Sequence, residues 1–286
     1  MMRTLVQPGP LGFPRVEMAG GVVEALSFPL RTGVTLHEAV TGPLVAAGFQ
    51  GGTVVIEGGA LDPFRYVMPG PPDDASHVAY FTAPRAPVGV TRLERANLTF
   101  GWAEGAPFLH CHAVWVEPDG SRRGGHILPR ESVVVGSGAV SAWGFPDVRV
   151  ETGFDAETNF TLFGVKGGAV AGASAVMARV RPNVDVTLAV EEIAAACGWS
   201  DAVVRGSLGS LVGASFADGR VVGDLATEVL VRSGRVRAGR AEVDLAVVDM
   251  GGGVHEGVLV RGGNGVLITF DLVVVGTKGT HVHVTD

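Results

Sequence analysis

The chain has 286 residues, and 47% of them are hydrophobic, a composition that indicates packed cores rather than disorder. Its formal net charge is −7. This charge weighs against direct binding of nucleic acid, because DNA affinity at physiological salt depends largely on cationic side chains. The best basic candidate, RSGRVRAGR at 232–240, is interpreted as the solvated face of a strand and its turn.

Glycine (43 residues), proline (16 residues) and valine-rich runs such as SVVVG favour short strands joined by tight turns. No apolar run reaches the roughly 18 residues that a membrane helix needs. The N-terminal sequence MMRTLVQPGPLGFP is broken by proline and glycine and makes a poor signal peptide. Cys111 and Cys197 do not form a disulfide framework. We therefore expect a soluble, cytoplasmic protein.

The first predicted helix begins after Thr35. Thr35 and Glu38 have the spacing of a capping box. Pro43 falls where the helix interior should be, which predicts a kink or a break there. Strands are expected to follow, with a turn-rich loop at 68–76, MPGPPDDAS.

A β-hairpin is predicted from two strands, 109–117 and 121–128, around a Pro-Asp-Gly turn. Proline suits the first turn position and glycine the left-handed third position of a three-residue connection. In that register Glu117 faces Ser121, so His112 lies directly across from His126. A slip of one residue would move His126 to the other face.

The hairpin is predicted to carry a metal site. His110 and His112 share one face by alternation, and His126 joins them across the strands. Three neutral imidazoles with an open coordination position suit zinc, although iron, nickel or copper would also fit. Gly124 and Gly125 are expected to leave space for a ligand or another chain.

Two further points bear on that site. Cys111 points to the opposite face of the strand and is not a predicted ligand. The alternative interpretation of the histidines is a hydrogen-bonded trio in a polar groove.

The second half of the sequence resembles the first. Residues 46–61, AAGFQGGTVVIEGGAL, align without a gap to 196–211, ACGWSDAVVRGSLGSL. Residues 113–128 resemble 246–260 in the same order. Each copy opens with a helix that strands follow, which predicts a duplicated α+β domain.

The predicted domains are 1–168 and 169–286, and residues 164–180 are expected to join them. In the second helix, Leu188, Ile193 and Cys197 fall near one apolar stripe, with Gly198 as the C-terminal stop.

The second copy has lost the histidines. The positions that correspond to His110, His112 and His126 lie near Val243, Leu245 and Val258, and its one histidine in that region, His255, is expected away from the site. A structural second copy is the simplest account. His281 and His283 form another His-x-His pair, more typical of a solvated tail than of a ligand set.

These features are similar to those of the PPC domain, "plants and prokaryotes conserved". The stretches VVIEGGAL, PFLHCHAVWVEPDGSRRGGHIL and VETGFDAETNF carry the resemblance, and TEVLVRSG at 227–234 resembles a strand of that family. The resemblance implies two tandem copies of a PPC-like domain, each a bent antiparallel sheet with a packed helix. It also implies trimers and a metal motif of the same three histidines. Many bacterial members carry a DNA-binding label, but the AT-hook that contacts DNA in plant members is missing here.

The sequence is consistent with three functions. The first is a trimeric protein that binds a divalent metal, preferably zinc, and a small anionic or carbonyl-bearing ligand. The second is a DNA-associated regulatory protein in which the histidines are structural. The third is a metal-dependent hydrolase or lyase, for which no acid or base can be named, or a cupin-like enzyme, since His110-x-His112-x4-Glu117 resembles a cupin motif. Glu117 adjoins the turn and faces away from the histidines, which weighs against the cupin alternative, and an enzyme is not favoured.

Overall fold

The computed structural model describes residues 2–72 and 74–277. Its two helices are α1 (Leu36–Ala46) and α2 (Val186–Ala196). The strands in these ranges are β1 (Val16–Gly21), β2 (Glu24–Pro29), β3 (Gly51–Leu61), β4 (Tyr66–Val67), β5 (Pro69–Gly70), β6 (Tyr80–Phe81), β7 (Thr91–Ala103), β8 (Ala106–Val116), β9 (Arg122–Ile127), β10 (Val134–Phe145), β11 (Arg149–Phe154), β12 (Thr161–Lys166), β13 (Ala175–Val180), β14 (Ala202–Leu211), β15 (Ala214–Ser215), β16 (Val221–Val222), β17 (Thr227–Arg237), β18 (Arg240–Val248), β19 (Val254–Val258) and β20 (Val266–Gly276). The chain is therefore α+β, as the sequence predicts.

Two large sheets contain most of these strands. The first has the order β2-β10-β3-β7-β8-β9-β4, and the second has the order β1-β13-β20-β14-β17-β18-β19. Strand for strand, β2, β3, β7, β8, β9 and β10 have the same neighbours as β13, β14, β17, β18, β19 and β20. The same order of six strands therefore occurs in both sheets, once in each half of the chain.

The sheets face each other, and each helix covers an outer face. Along β8, Cys111 and Trp115 pack in the core under α1, whereas Val114 points the other way and packs against Leu230 and Ala246 of the second sheet. This follows from the alternation of side chains along a strand. Even-numbered positions of β8 therefore lie between the two sheets.

The N-terminal segment lies on the second sheet, although it precedes the first. β1 pairs antiparallel with β13, from Val16 opposite Val180 to Gly21 opposite Ala175. The side chain of Gln7 donates a hydrogen bond to the carbonyl oxygen of Leu267. No sequence pattern predicts this exchange between the two predicted domains.

Helix α1 begins where the sequence predicts, but one difference appears further along it and another in α2. Thr35 caps α1 in a capping box with Glu38, but α1 runs unbroken through Pro43 to Ala46, so the predicted break is absent. A proline costs a helix one hydrogen bond and a clash, and here the buried apolar face of α1 holds the helix together.

In α2 the buried face is formed by Val186, Ala189, Val190 and Ile193, whereas Leu188 is partly exposed. The predicted position of Leu188 on the stripe is therefore wrong. No helix in the described ranges is long and apolar enough to cross a membrane.

Candidate metal centre between the two sheets

The β8–β9 hairpin has the predicted register. His112 lies opposite His126, and Val116 lies opposite Arg122. The turn is closed by a hydrogen bond of 2.9 Å from the amide of Glu117 to the carbonyl oxygen of Ser121. Gly120 has a φ of +86°, the left-handed conformation that favours glycine at this position.

The three imidazoles of this hairpin lie together on the face that meets the second sheet. One ring nitrogen from each of His110, His112 and His126 lies within 4.8 Å of the other two. The Nε2 atoms of His110 and His112 are 3.1 Å apart. His112 is buried, and the other two are partly buried. Cys111 lies in the core under α1, as expected from alternation.

The second sheet supplies the groups that surround the histidines. The Nδ1–H of His112 donates to the carbonyl oxygen of Val229 on β17 at 3.0 Å. The Nδ1 atom of His110 faces Oδ2 of Asp271 on β20 at 3.4 Å. Oε1 of Glu228 on β17 lies 3.6 Å from Nε2 of His112 and 4.0 Å from Nδ1 of His126. The site is therefore built by both halves of the chain.

Burial shifts the pKa values of three of these groups, His112, His126 and Glu228, toward their uncharged forms. It lowers the pKa of His112 well below its usual value, and the neighbouring His110 and His126 lower that pKa further. Burial, followed by the charge of His110, lowers the pKa of His126 to about 3. Burial also raises the pKa of Glu228 well above its usual value. Neutral imidazoles are the form that binds a metal ion.

The contacts with the second sheet leave the Nε2 atoms of His110 and His112 facing each other. A carbonyl oxygen only accepts, so His112 carries its proton on Nδ1, and its Nε2 bears a lone pair. If His110 likewise carries its proton on Nδ1, facing the Asp271 carboxylate, a second lone pair faces the first across 3.1 Å. A cation between them would stabilise that pair. Two nitrogens bound to one tetrahedral zinc ion at 2.0–2.1 Å lie about 3.3 Å apart, so the observed spacing fits one ion to within a few tenths of an ångström.

Two buried polar atoms at the same place have no hydrogen-bond partner among the described residues, Nδ1 of His126 and Oε2 of Glu228. Buried polar atoms are normally satisfied. A bound metal ion, together with water or another molecule on it, would satisfy these two atoms. The residues present therefore fit a metal ion.

A cavity of about 290 Å³ opens from the histidines along the junction of the sheets. All three histidines, Glu228 and Asp271 line it. Gly124 and Gly125 do not. A Cβ at Gly124 would lie 2.4 Å from a methyl carbon of Val248, and one at Gly125 would lie 2.7 Å from a backbone oxygen. At both glycines, neighbouring parts of the chain occupy the space that a side chain would need.

Sequence reasoning missed Glu228 and Asp271. Glu228 could have been noticed in the sequence, because it is the acidic residue of TEVLVRSG, the stretch that resembles a strand of the PPC family. Asp271 interrupts the apolar β20 sequence VLITFDLVVVG and is buried. A lone carboxyl group in a buried strand is expensive unless it has a partner, which marks such a position for attention.

The other histidines and the basic stretch do not contribute to this site. His255 bonds to Asp249 at 2.8 Å, and His37 bonds to the carbonyl oxygen of Pro107 at 2.9 Å. In 232–240, Arg232 pairs with Asp244 and Arg235 pairs with Glu242. His281 and His283 lie outside the described residues.

Comparison with known proteins gives similar folds over half of the chain. No protein-family model matches the sequence, and no curated protein matches it. The PPC protein of Pyrococcus horikoshii is 16% identical, with a TM-score of 0.40, over 51% of this chain and 94% of its own. A metal-containing protein from Archaeoglobus fulgidus is 19% identical, with a TM-score of 0.40, over 51% of this chain and 96% of its own. The family that the sequence resembles is thus among the matched structures.

Proposed function

We propose that this protein binds one divalent metal ion through His110, His112 and His126, and a small ligand beside it. The proposal rests on the position and protonation of the Nε2 atom of His112. Its lone pair is fixed by the hydrogen bond from Nδ1 to Val229 and lies 3.1 Å from Nε2 of His110. The His-x-His and Gly-Gly-His sequences of the PPC-like hairpin support the same assignment.

Zinc is the proposed metal. Three imidazoles in a tetrahedral arrangement with one open position are the ligand set of catalytic-type zinc sites. Bound there, the ion would supply a Lewis acid that polarises an oxygen of the ligand. Burial holds His112 and His126 neutral. The Val229 carbonyl oxygen orients His112, and the Asp271 carboxyl group orients His110.

Elemental analysis of protein purified without chelators tests this function. We expect about one equivalent of metal per chain, with zinc in excess over iron, nickel and copper. Folded protein that takes up no metal after dialysis against a zinc salt would overturn the proposal and would favour the hydrogen-bonded trio.

We also propose that the chain is a tandem duplication of one PPC-like domain, with the copies at 1–168 and 169–286. The identical strand order of the two sheets supports it. The second copy carries no histidine cluster among its described residues. Its role is to cover the first copy's histidines with Glu228, Val229 and Asp271.

Self-association as a trimer of chains is proposed from the family resemblance. β2 forms an edge of the first sheet, and several of its residues are exposed. Closed assemblies cover such edges. Light scattering at micromolar concentration checks this, and a monomer would contradict it.

A further inference from the structure

The cavity beside the histidines has an apolar wall that the metal site alone does not require. Six aromatic or aliphatic side chains from the first half of the chain form most of that wall: Tyr80, Phe81, Phe108, Phe160, Leu162 and Phe163. Leu267 and Ile268 add to it from β20. Tyr80, Phe81 and Phe108 are 43%, 41% and 37% exposed. Large aromatic side chains held partly in solvent around a cavity mark a ligand site.

We propose that this cavity binds a small molecule that has an aryl body and a single carbonyl-type head and carries no phosphate or other strongly anionic group, with the head directed at the histidines. The assignment of the head rests on the proposed metal function. The assignment of the body rests on the cavity wall alone.

The aromatic wall reaches the histidines directly. The ring of Phe81 lies edge-on to the ring of His126, with 5.2 Å between centroids. Tyr80 stacks on Phe160 at 5.6 Å, and Phe108 meets Phe163 edge-on at 5.7 Å. Aromatic side chains attract a further ring in the same edge-on and offset geometries. A ring bound here would therefore sit next to a head group at the metal ligands.

The size of the cavity limits the ligand. Pockets for drug-sized molecules span roughly 300–1,000 Å³, and this cavity has about 290 Å³. One ring with a short polar head is the appropriate size. Nucleotides and peptides are too large to be enclosed.

The lining of the cavity does not favour strongly anionic ligands. None of the described residues that line it is lysine or arginine, and two carboxyl residues, Glu228 and Asp271, stand at its polar end. Recognition of phosphate normally relies on arginine, lysine or a helix N-terminus. A phosphate ester would find no cationic side chain among the described lining residues, which offer hydroxyl groups and two carboxyl groups beside the histidines. A carbonyl-type head needs no cationic side chain.

Calorimetry on zinc-loaded protein with three probes tests the aryl body and the head group separately. Benzohydroxamic acid and acetohydroxamic acid share one head and differ in the aryl body, and phenyl phosphate keeps the ring with a charged head. We expect the benzo compound to bind at least about tenfold more tightly than the aceto compound, and phenyl phosphate to bind more weakly than the benzo compound. Equal affinity for the two hydroxamic acids, or tighter binding of phenyl phosphate, would overturn the proposal.

Two variants test whether the aryl body binds at the aromatic wall of the cavity. Phe108→Ala should weaken benzohydroxamic acid about tenfold, since aromatic contacts and ring burial are worth about 1–1.5 kcal/mol, or roughly a factor of ten. Its affinity for acetohydroxamic acid and its zinc content should not change. Phe154→Ala is the matched control, because Phe154 is 72% exposed and does not line the cavity. An equal loss in both variants, or none in Phe108→Ala, would contradict the assignment.

The same titrations on metal-free protein distinguish this proposal from the metal proposal. If zinc content is zero and the benzo compound still binds more tightly than the aceto compound, with loss in Phe108→Ala, the cavity assignment stands and the metal assignment fails. If zinc binds and the aryl body makes no difference, the metal assignment stands and the cavity assignment fails.

Discussion

His112 and Val229, 117 residues apart, are joined by a hydrogen bond of 3.0 Å from Nδ1 of the imidazole to the backbone carbonyl oxygen. This bond crosses from the first sheet to the second and fixes the tautomer of a buried histidine. Partners of this kind orient metal-binding imidazoles and raise their basicity. The packing of the two sheets therefore determines the chemistry of the hairpin.

His112→Ala should abolish bound metal while the protein still folds. The hairpin is held by its strand ladder and turn, but the Val229 oxygen loses its donor, a defect that costs about 1–3 kcal/mol of unfolding free energy. Elemental analysis and urea unfolding measure the two effects. His255→Ala is the control. Its partly exposed pair with Asp249 is worth at most about 1 kcal/mol, and its metal content should equal that of the wild type.

Asp271→Asn should weaken metal binding without removing it. The asparagine keeps an oxygen near Nδ1 of His110 but loses the charge that favours a proton there. Replacing the group that hydrogen-bonds the non-coordinating nitrogen of a metal-binding histidine typically lowers metal affinity 10- to 100-fold. Competition with a chromophoric zinc chelator measures the ratio. Unchanged affinity would show that the 3.4 Å contact between His110 and Asp271 does not orient the ring.

Glu228→Gln should stabilise the metal-free protein at pH 8 and leave it unchanged at pH 4. Burial raises the pKa of Glu228, so above about pH 4.5 the unfolded chain releases a proton that the folded chain retains. The folded state is therefore penalised as pH rises. Glutamine resembles the protonated carboxyl group and removes that penalty. Urea unfolding at both pH values checks it, and a stability difference that is the same at pH 4 and pH 8 would contradict it.

The hairpin could be predicted because its determinants are local. The Pro-Asp-Gly turn fixes which residues pair, and alternation then fixes the face of His110, His112 and His126. The capping box of Thr35 and Glu38 is local in the same way. Such features depend on residues within one or two elements, and the structure confirms them.

The rest of the site depends on how the sheets pack, which no local pattern encodes. Asp271 is 161 residues from His110, and only the sheet–sheet contact brings them together. The match of His110 and His112 to Val243 and Leu245 is also wrong by one position. The two apolar residues pack in the core that contains α2, on the face opposite to the one that meets the first sheet. A one-residue offset reverses the face of every side chain.

Asp155→Asn should destabilise the protein strongly at pH 7 and progressively less toward pH 2. Asp155 follows β11, and its Oδ2 atom accepts hydrogen bonds from Arg179 at 2.8 Å and Arg181 at 2.6 Å, both on or next to β13. The pair of Asp155 and Arg179 is almost fully buried, and it links the β11–β12 hairpin of the first sheet to an edge region of the second. Removing one partner of a buried ion pair costs about 3–5 kcal/mol. This range is an upper bound here, because Glu17 still contacts both arginines after the substitution.

The pH dependence and an exposed control identify the ion pair as the cause. Although burial opposes it, the two arginines lower the pKa of Asp155 to about 2. The ionised pair therefore contributes stability above the unfolded value near 4, and that contribution is lost as pH falls toward 2. The difference between wild type and Asp155→Asn in urea unfolding should shrink over that range. Asp218→Asn removes an exposed pair with Arg220 and should change stability by less than about 1 kcal/mol at any pH. If Asp155→Asn matched this control at pH 7, the buried ion pair would not be what joins the hairpin to β13.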